Sequence, residues 1–239
     1  KISAGDNSSV DTMVLNKYDG TRLVTFRADG NVGIGTNAPA TKLDITQASF
    51  AASAALRINN PSHNEHWDLA ISDNSGTILE LSNYNSGTTV KWDNSGAMRL
   101  PLQPAFLVSP SSLQSDMSTG TEVTVIYGTE IFDQGGDFAS NTFTAPLTGR
   151  YQINWHLYVT GLDIDFAYVR IAIKTSNRAF EYWWDPDGLD ADPTYWTFSG
   201  GHLLDMDASD TCYMTIKGQD GTAQMDVHPD SKFSGYLVC

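Results

Sequence analysis

Two rhythms of apolar and polar positions divide the chain. From about residue 10 to residue 100 the apolar runs are short, and Asp19-Gly20, Asp29-Gly30, Ser75-Gly76, Ser86-Gly87 and Ser95-Gly96 separate them. Such pairs supply the positive φ angles of tight hairpin turns, so the pattern predicts short strands joined by turns. One segment recurs: VTFRADGNVGI, residues 24–34, aligns without gaps on VKWDNSGAMRL, residues 90–100, matching a Val, an aromatic, a Gly and two alternating apolar residues. The region reads as a repeat. From Pro104 the strands lengthen and alternate strictly. Tyr151, Ile153, Trp155, Leu157 and Val159 face one way, while Gln152, Asn154, His156 and Tyr158 face the other. Val169, Ile171 and Ile173 repeat the device, as do Cys212, Met214 and Ile216. Turn-rich stretches between such runs predict an antiparallel sandwich, and the expected fold class is all-β throughout.

Composition narrows the function classes. At 239 residues and 41% hydrophobic, the chain is long enough for one large or two modest domains with real cores. No stretch approaches the roughly 18 apolar residues of a bilayer span, so no membrane insertion is expected. The net charge of -14 argues against nucleic acid, which demands clustered Lys and Arg. Residues 1–103 carry 8 basic and 10 acidic side chains, and residues 104–239 carry 6 and 18, so the second region is the acidic one. Cys212 and Cys239 are too few for a disulfide framework and form no CxxC pair; both are expected to be buried thiols. The absence of an initiator Met reads as the carboxyl-terminal part of something longer.

The stretch GNVGIGTNAPATKLDI, residues 30–45, has the glycine density of a phosphate loop but not its chemistry. Gly35 is followed by Thr36 and Asn37 rather than Lys and Ser or Thr, the spacing is GxxGxG rather than GxGxxG, and Pro39 removes a backbone donor. Gly33 and Gly35 instead alternate with Val32 and Ile34, leaving one apolar face and one face of bare backbone that lets another chain approach closely. Hairpins this thin bury too little area to offset the entropy of ordering alone, and are expected to pack against copies of themselves. The stretch resembles the GNVGIGT repeat, with its following Pro and Lys-Leu-Asp-Val, of bacteriophage tail-fibre and adhesin shafts. The resemblance implies three chains wrapped into a slender stalk, with Val32, Gly33, Ile34 and Gly35 packing the shaft. Between the two copies, ASFAASAAL (48–56) reads as a short helix or as small residues at a three-fold axis. His63 and His66 form an HxxH pair, either a polar turn or a metal site shared among chains.

The second region resembles complement C1q-like heads over its whole length. PAFLVS (104–109), NTFTAPLTGRYQINWHLYV (141–159), YVRIAIK (168–174), SGGHLLDMDASDTCYM (199–214) and SKFSGYLV (231–238) follow that family's landmarks in order. The resemblance implies a ten-stranded jelly roll related to tumour necrosis factor, associating as a tight homotrimer. DASD stands where the family usually has Gly-Asp, so Asp210 is expected to shape that turn. The expected organisation is a trimeric β-repeat shaft over residues 1–103 and a jelly-roll head over 104–239.

Candidate chemistry concentrates in FEYWWDPDGLDADPTYWTF, residues 180–198, read as one loop. Tyr182, Trp183, Trp184, Tyr195 and Trp196 surround Asp185, Asp187, Asp190 and Asp192. Exposed indoles are costly unless they pack or bind something, and sugar faces stack on aromatic rings while carboxylates accept from hydroxyls. Two readings stand side by side: a receptor surface at Tyr182, Trp183, Trp184, Asp187, Tyr195 and Trp196, or rings packed on the sandwich with the aspartates in water. Asp185, Asp187, Asp190 and Asp192 could also hold calcium, although the segment is not an EF-hand loop. Asp163 and Asp165 read as solvated loop residues. There is no GxSxG, no HExxH and no Cys-His arrangement, so no catalytic residue is assigned. The function expected is non-catalytic: a phage tail-fibre tip on the virion surface, joined to upstream fibre and tail proteins and attaching to a host cell-surface glycan or protein receptor. A cellular C1q-like adhesin or structural trimer is the alternative, and a polysaccharide depolymerase ranks below it.

Overall fold

The computed structural model describes residues 11–46, 56–60, 65–71, 78–83, 85 and 87–239, and among them every regular element but one 3-10 turn is a strand. The chain divides into two compact units, residues 1–101 and 102–239. Residues 48–55 of the Ala/Ser-rich segment, and His63 of the HxxH pair, lie outside the described residues; His66 sits 3.5 Å from the Asp68 carboxylate.

The first unit holds two sheets in chain order. β1 (Asp11–Asn16), β2 (Arg22–Arg27), β3 (Val32–Ile34) and β4 (Leu43–Ile45) form one, antiparallel except for the parallel β3/β4 pair. The antiparallel meander β5 (Leu56–Asn60), β6 (Glu65–Ile71), β7 (Leu79–Asn83), β8 (Gly87–Trp92) and β9 (Met98–Arg99) forms the other. The sequence repeat is one turn built twice. Arg27 N donates to Asn31 O at 2.9 Å and Gly30 N to Arg27 O at 3.0 Å; Asp93 N to Ala97 O and Gly96 N to Asp93 O match them at 3.1 and 3.0 Å. Gly30 and Gly96 take φ of 81° and 83°, where a Cβ is disfavoured.

The bare backbone at Gly33 and Gly35 is approached closely by the chain itself. A Cβ on Gly33 would lie 2.6 Å from Thr36 O, and one on Gly35 would collide with Thr46 O. The close approach seen is within the chain, because Gly35 N bonds to Leu23 O while Thr46 N bonds to Ile34 O and draws β4 alongside β3. Gly33 is buried, whereas Ile34 is exposed.

The second sheet is two-faced. Trp67, Leu69 and Ile71 are exposed on β6, and the register sets Ile58 beside Trp67, Leu56 and Leu81 beside Leu69, Leu79 beside Ile71, and Trp92 beside Leu79. One face is therefore apolar from strand to strand, with Ile58 68% exposed. The opposite face is ionic: Arg57 grips Asp68 through two bonds of 2.7 and 2.8 Å, and Lys91 meets Glu80 at 2.7 Å.

The second unit is a two-sheet sandwich of β10 (Ala105–Ser109), β11 (Val123–Thr124), β12 (Thr129–Gln134), β13 (Phe138–Ala139), β14 (Thr142–Thr144), β15 (Gly149–Thr160), β16 (Phe166–Thr175), β17 (Ala179–Trp184), β18 (Tyr195–Met206), β19 (Thr211–Asp220), β20 (Asp226–Val227) and β21 (Lys232–Leu237). One sheet runs β12-β10-β21-β15-β18 with β20 on β15, and the other runs β13-β14-β19-β16-β17 with β11 on β19. All the inward residues expected from alternation on β15, β16 and β19 are buried between the sheets. The sequence landmarks meet in this core. Phe106 stacks on Phe143 at 4.8 Å and meets Phe233 edge-on at 5.1 Å, while Tyr151 donates its hydroxyl to Leu147 O at 2.7 Å. Gly235 is cross-strand from both Phe106 and Ile153, and a Cβ there would strike both side chains.

Three local expectations change or sharpen. Cys212 is buried, and burial pushes its thiol up to about 12, but Cys239 is exposed. Asp163 is not a solvated loop residue: it is 3% exposed and its carboxylate accepts from the amides of Asp165, Thr222 and Ala223. Asp210 does shape its turn, accepting from Asp207 N, Ser176 Oγ and Asn177 Nδ2, with Ser209 at φ 77° taking the place of glycine.

Candidate functional site

The aromatic and acidic segment is not one loop. β17 extends to Trp184 and β18 begins at Tyr195, so the loop proper is residues 185–194. The rings therefore alternate between the two sides of their strands, as strand geometry dictates. Tyr182, Trp184 and Trp196 turn inward and pack against the core. Trp184 lies 5.0 Å from Trp196 and 5.4 Å from Phe198, and Tyr182 meets Trp155 edge-on at 5.1 Å. Trp183 and Tyr195 turn outward, 56% and 64% exposed, on different sheets. Tyr195 borders Tyr158 at 6.0 Å.

The four aspartates are exposed but do not converge. Asp185 caps the short turn Pro186–Gly188 by accepting from Asp187 N at 3.0 Å, and Asp192 accepts from Ile164 N at 2.9 Å. Among the described residues no three acidic, His or Cys side chains come together as metal ligands. Two of the four proposed calcium ligands thus spend an oxygen on backbone amides.

Around Trp183 the outer face of β16, β17 and β19 gathers groups that single-strand patterns leave scattered. Register places Arg170 directly across from both Trp183 and Lys217, with Tyr168 one step further along β16. Tyr168 and Trp183 are 4.5 Å apart with their planes at 54°. The Arg170 guanidinium lies 5.5 Å from the Trp183 ring centre and pairs with Glu181 at 3.1 Å and with Glu122; Lys174 meets Glu122 at 3.1 Å. The Lys217 ammonium lies 5.8 Å from the Tyr168 ring centre. Tyr168, Arg170 and Lys217 were not singled out from sequence. Their signal was their outward place in YVRIAIK and TIKGQ, but only sheet register brings them beside Trp183.

The sandwich is also recognisable as a known domain. The C1q domain profile matches residues 105–238, more than half of the chain. The chain belongs to the C1q family. Among solved structures, the C1q domain here is similar to the globular domain of zebrafish complement 1qA protein, at 17% identity and a TM-score of 0.42 over 57% of this chain and 98% of that one. It is similar also to the crystal structure of murine APRIL at pH 8.0, at 10% identity and a TM-score of 0.42 over 57% of this chain and 99% of that one. No curated protein matches the chain. C1q domains are generally non-catalytic modules that bind ligands or build structure, typically as homotrimers.

Proposed function

We propose that the chain is the distal, receptor-binding end of a phage-type fibre: a trimeric β-stalk carrying a trimeric C1q head that attaches the virion to a host surface glycan or protein receptor. The observation that carries this reading is the apolar face of the β5–β9 sheet, from Leu56 and Ile58 across Trp67, Leu69 and Ile71 to Leu79. A face of that extent needs a cover, and three copies of the same sheet supply it around a shared axis. The GNVGIGT stretch and its resemblance to tail-fibre shafts support the phage setting. In the head, Leu107 and Phe132 adjoin on β10 and β12, and Leu203 and Tyr236 flank Gln152 on β18 and β21, and this apolar surface supports assigning the outer face of that sheet to the contact between heads.

Light scattering on the full chain, paired with attachment of labelled protein to a panel of intact bacteria, tests the reading. A trimer that binds some strains and not others is expected. A stable monomer at micromolar concentration, or a trimer that attaches to no bacterial surface, overturns it.

A further inference from the structure

We infer that the outer face of β16, β17 and β19 binds an acidic glycan, with a sugar ring stacked at Trp183 and Tyr168 and its carboxylate held by Lys217; this rests on the receptor-binding reading above. Trp183 is 56% exposed on a strand, not on a loop, and Tyr168 at 4.5 Å stands tilted beside it. Arg170 lies against Trp183, and its pairs with Glu181 and Glu122 fix it there, so the Trp183 ring is held in place before any ligand arrives. Preorganised aromatic surface of this kind loses little entropy on binding.

The charge on this face selects the ligand class. The head has only six basic side chains against eighteen acidic ones, yet Arg170, Lys174 and Lys217 all lie here. Glu122 and Glu181 pair with Arg170, and Glu122 also with Lys174, so of these three cations Lys217 is the one left to meet a ligand. Lys217 makes no ion pair among the described residues and leans over the ring of Tyr168, at the edge of the aromatic pair. A neutral sugar would stack but leave that ammonium unanswered, whereas a sugar carboxylate gains a charge-assisted bond. A densely charged polymer would be repelled by the rest of the head. A glycan whose carboxylates stand further apart than the screening length of about 8 Å in physiological salt is not. The face also belongs to the sheet opposite the one assigned to head-to-head contact, so trimer formation as proposed leaves it open.

The test uses the full-chain trimer with 3′-sialyllactose and a hyaluronan tetrasaccharide, each beside its carboxyl methyl ester, followed by calorimetry and saturation-transfer NMR. Both acids are expected to bind, with the esters about tenfold weaker. Trp183→Ala is expected to weaken every sugar about tenfold or more, as loss of one stacking ring does. Lys217→Gln is expected to erase the preference for acid over ester and leave ester binding unchanged, while Lys217→Arg keeps the preference. The inference is overturned if neither acid binds at about 10 mM, if acid and ester bind alike, or if both variants match the parent. Attachment of the same variants to cells separates the two readings. Attachment lost in Trp183→Ala with no acid binding points to a protein receptor, rejecting the glycan and keeping the receptor reading. Acid binding that depends on Trp183 and Lys217, with cell attachment unaffected, supports the site and rejects its role as the receptor surface.

Discussion

In the trimeric assembly proposed above, replacing Leu69 by Glu should dismantle the stalk while leaving the head intact. Leu69 lies on β6, an inner strand of its sheet, between Leu56 and Leu81 on the apolar face, and is 37% exposed in the single chain. Covering its remaining surface, roughly 60 Å², is worth about 1.5 kcal/mol at ~25 cal/mol per Å². The larger effect is the carboxylate, because an unpaired charge enclosed by apolar neighbours costs several kcal/mol even after relaxation. Three copies around one axis bring the loss to about 10 kcal/mol or more per trimer, comparable with the 5–15 kcal/mol that holds a typical domain together. In a lone chain the same side chain would reach water at little cost. Limited proteolysis and scanning calorimetry of the full chain read the difference, since in the proposed assembly the head makes its own contacts and scattering alone would still report a trimer. Residues 56–99 are expected to become cleavable and the stalk transition to disappear, while a 102–239 fragment survives. Asp68→Asn, on the ionic face, breaks an exposed pair worth about 0–1 kcal/mol and serves as the control. Unchanged protection in Leu69→Glu would refute the proposal that this face is enclosed.

Trp184→Ala and Trp196→Ala should behave unlike Trp183→Ala. Both rings pack on the core beside Phe198, so each loss is expected to lower stability by about 2–4 kcal/mol, somewhat below the 3–5 kcal/mol of a fully enclosed ring, with sugar binding per folded trimer unchanged; thermal melts beside binding titrations check this. Asp163 sets a pH dependence. Burial raises its pKa, but the amides of Ala223, Asp165 and Thr222 and the Thr222 hydroxyl outweigh that and hold it below the usual carboxylate value. A depressed folded-state pKa means that its stabilisation is complete above the unfolded value of about 3.9 and is lost as pH falls through the folded value. The melting-temperature deficit of Asp163→Asn should therefore be full at pH 7 and shrink below about pH 4, and a deficit independent of pH would contradict the mechanism.

Alternation determined much of this protein in advance. Period-two patterns on β15, β16 and β19 identify their buried residues, because a strand has only two sides and water separates apolar from polar side chains wherever one side is enclosed. The turns at Gly30 and Gly96 were legible for a similarly local reason, a backbone angle that few residues tolerate. What the tertiary structure decided is everything that depends on which strands lie side by side. A cluster of aromatic residues in sequence became three rings packed against the core and two facing outward, because Trp183 and Trp184 point to opposite sides of one strand. Asp185 and Asp192 each accept from a nearby backbone amide, and a carboxylate read as solvated, Asp163, proved to be buried and to gather the amides of Asp165, Thr222 and Ala223. The surface with the most distinctive chemistry joins Tyr168, Trp183 and Lys217 from three strands. Their proximity is set by hydrogen-bond register between segments far apart in the chain, which no local pattern encodes.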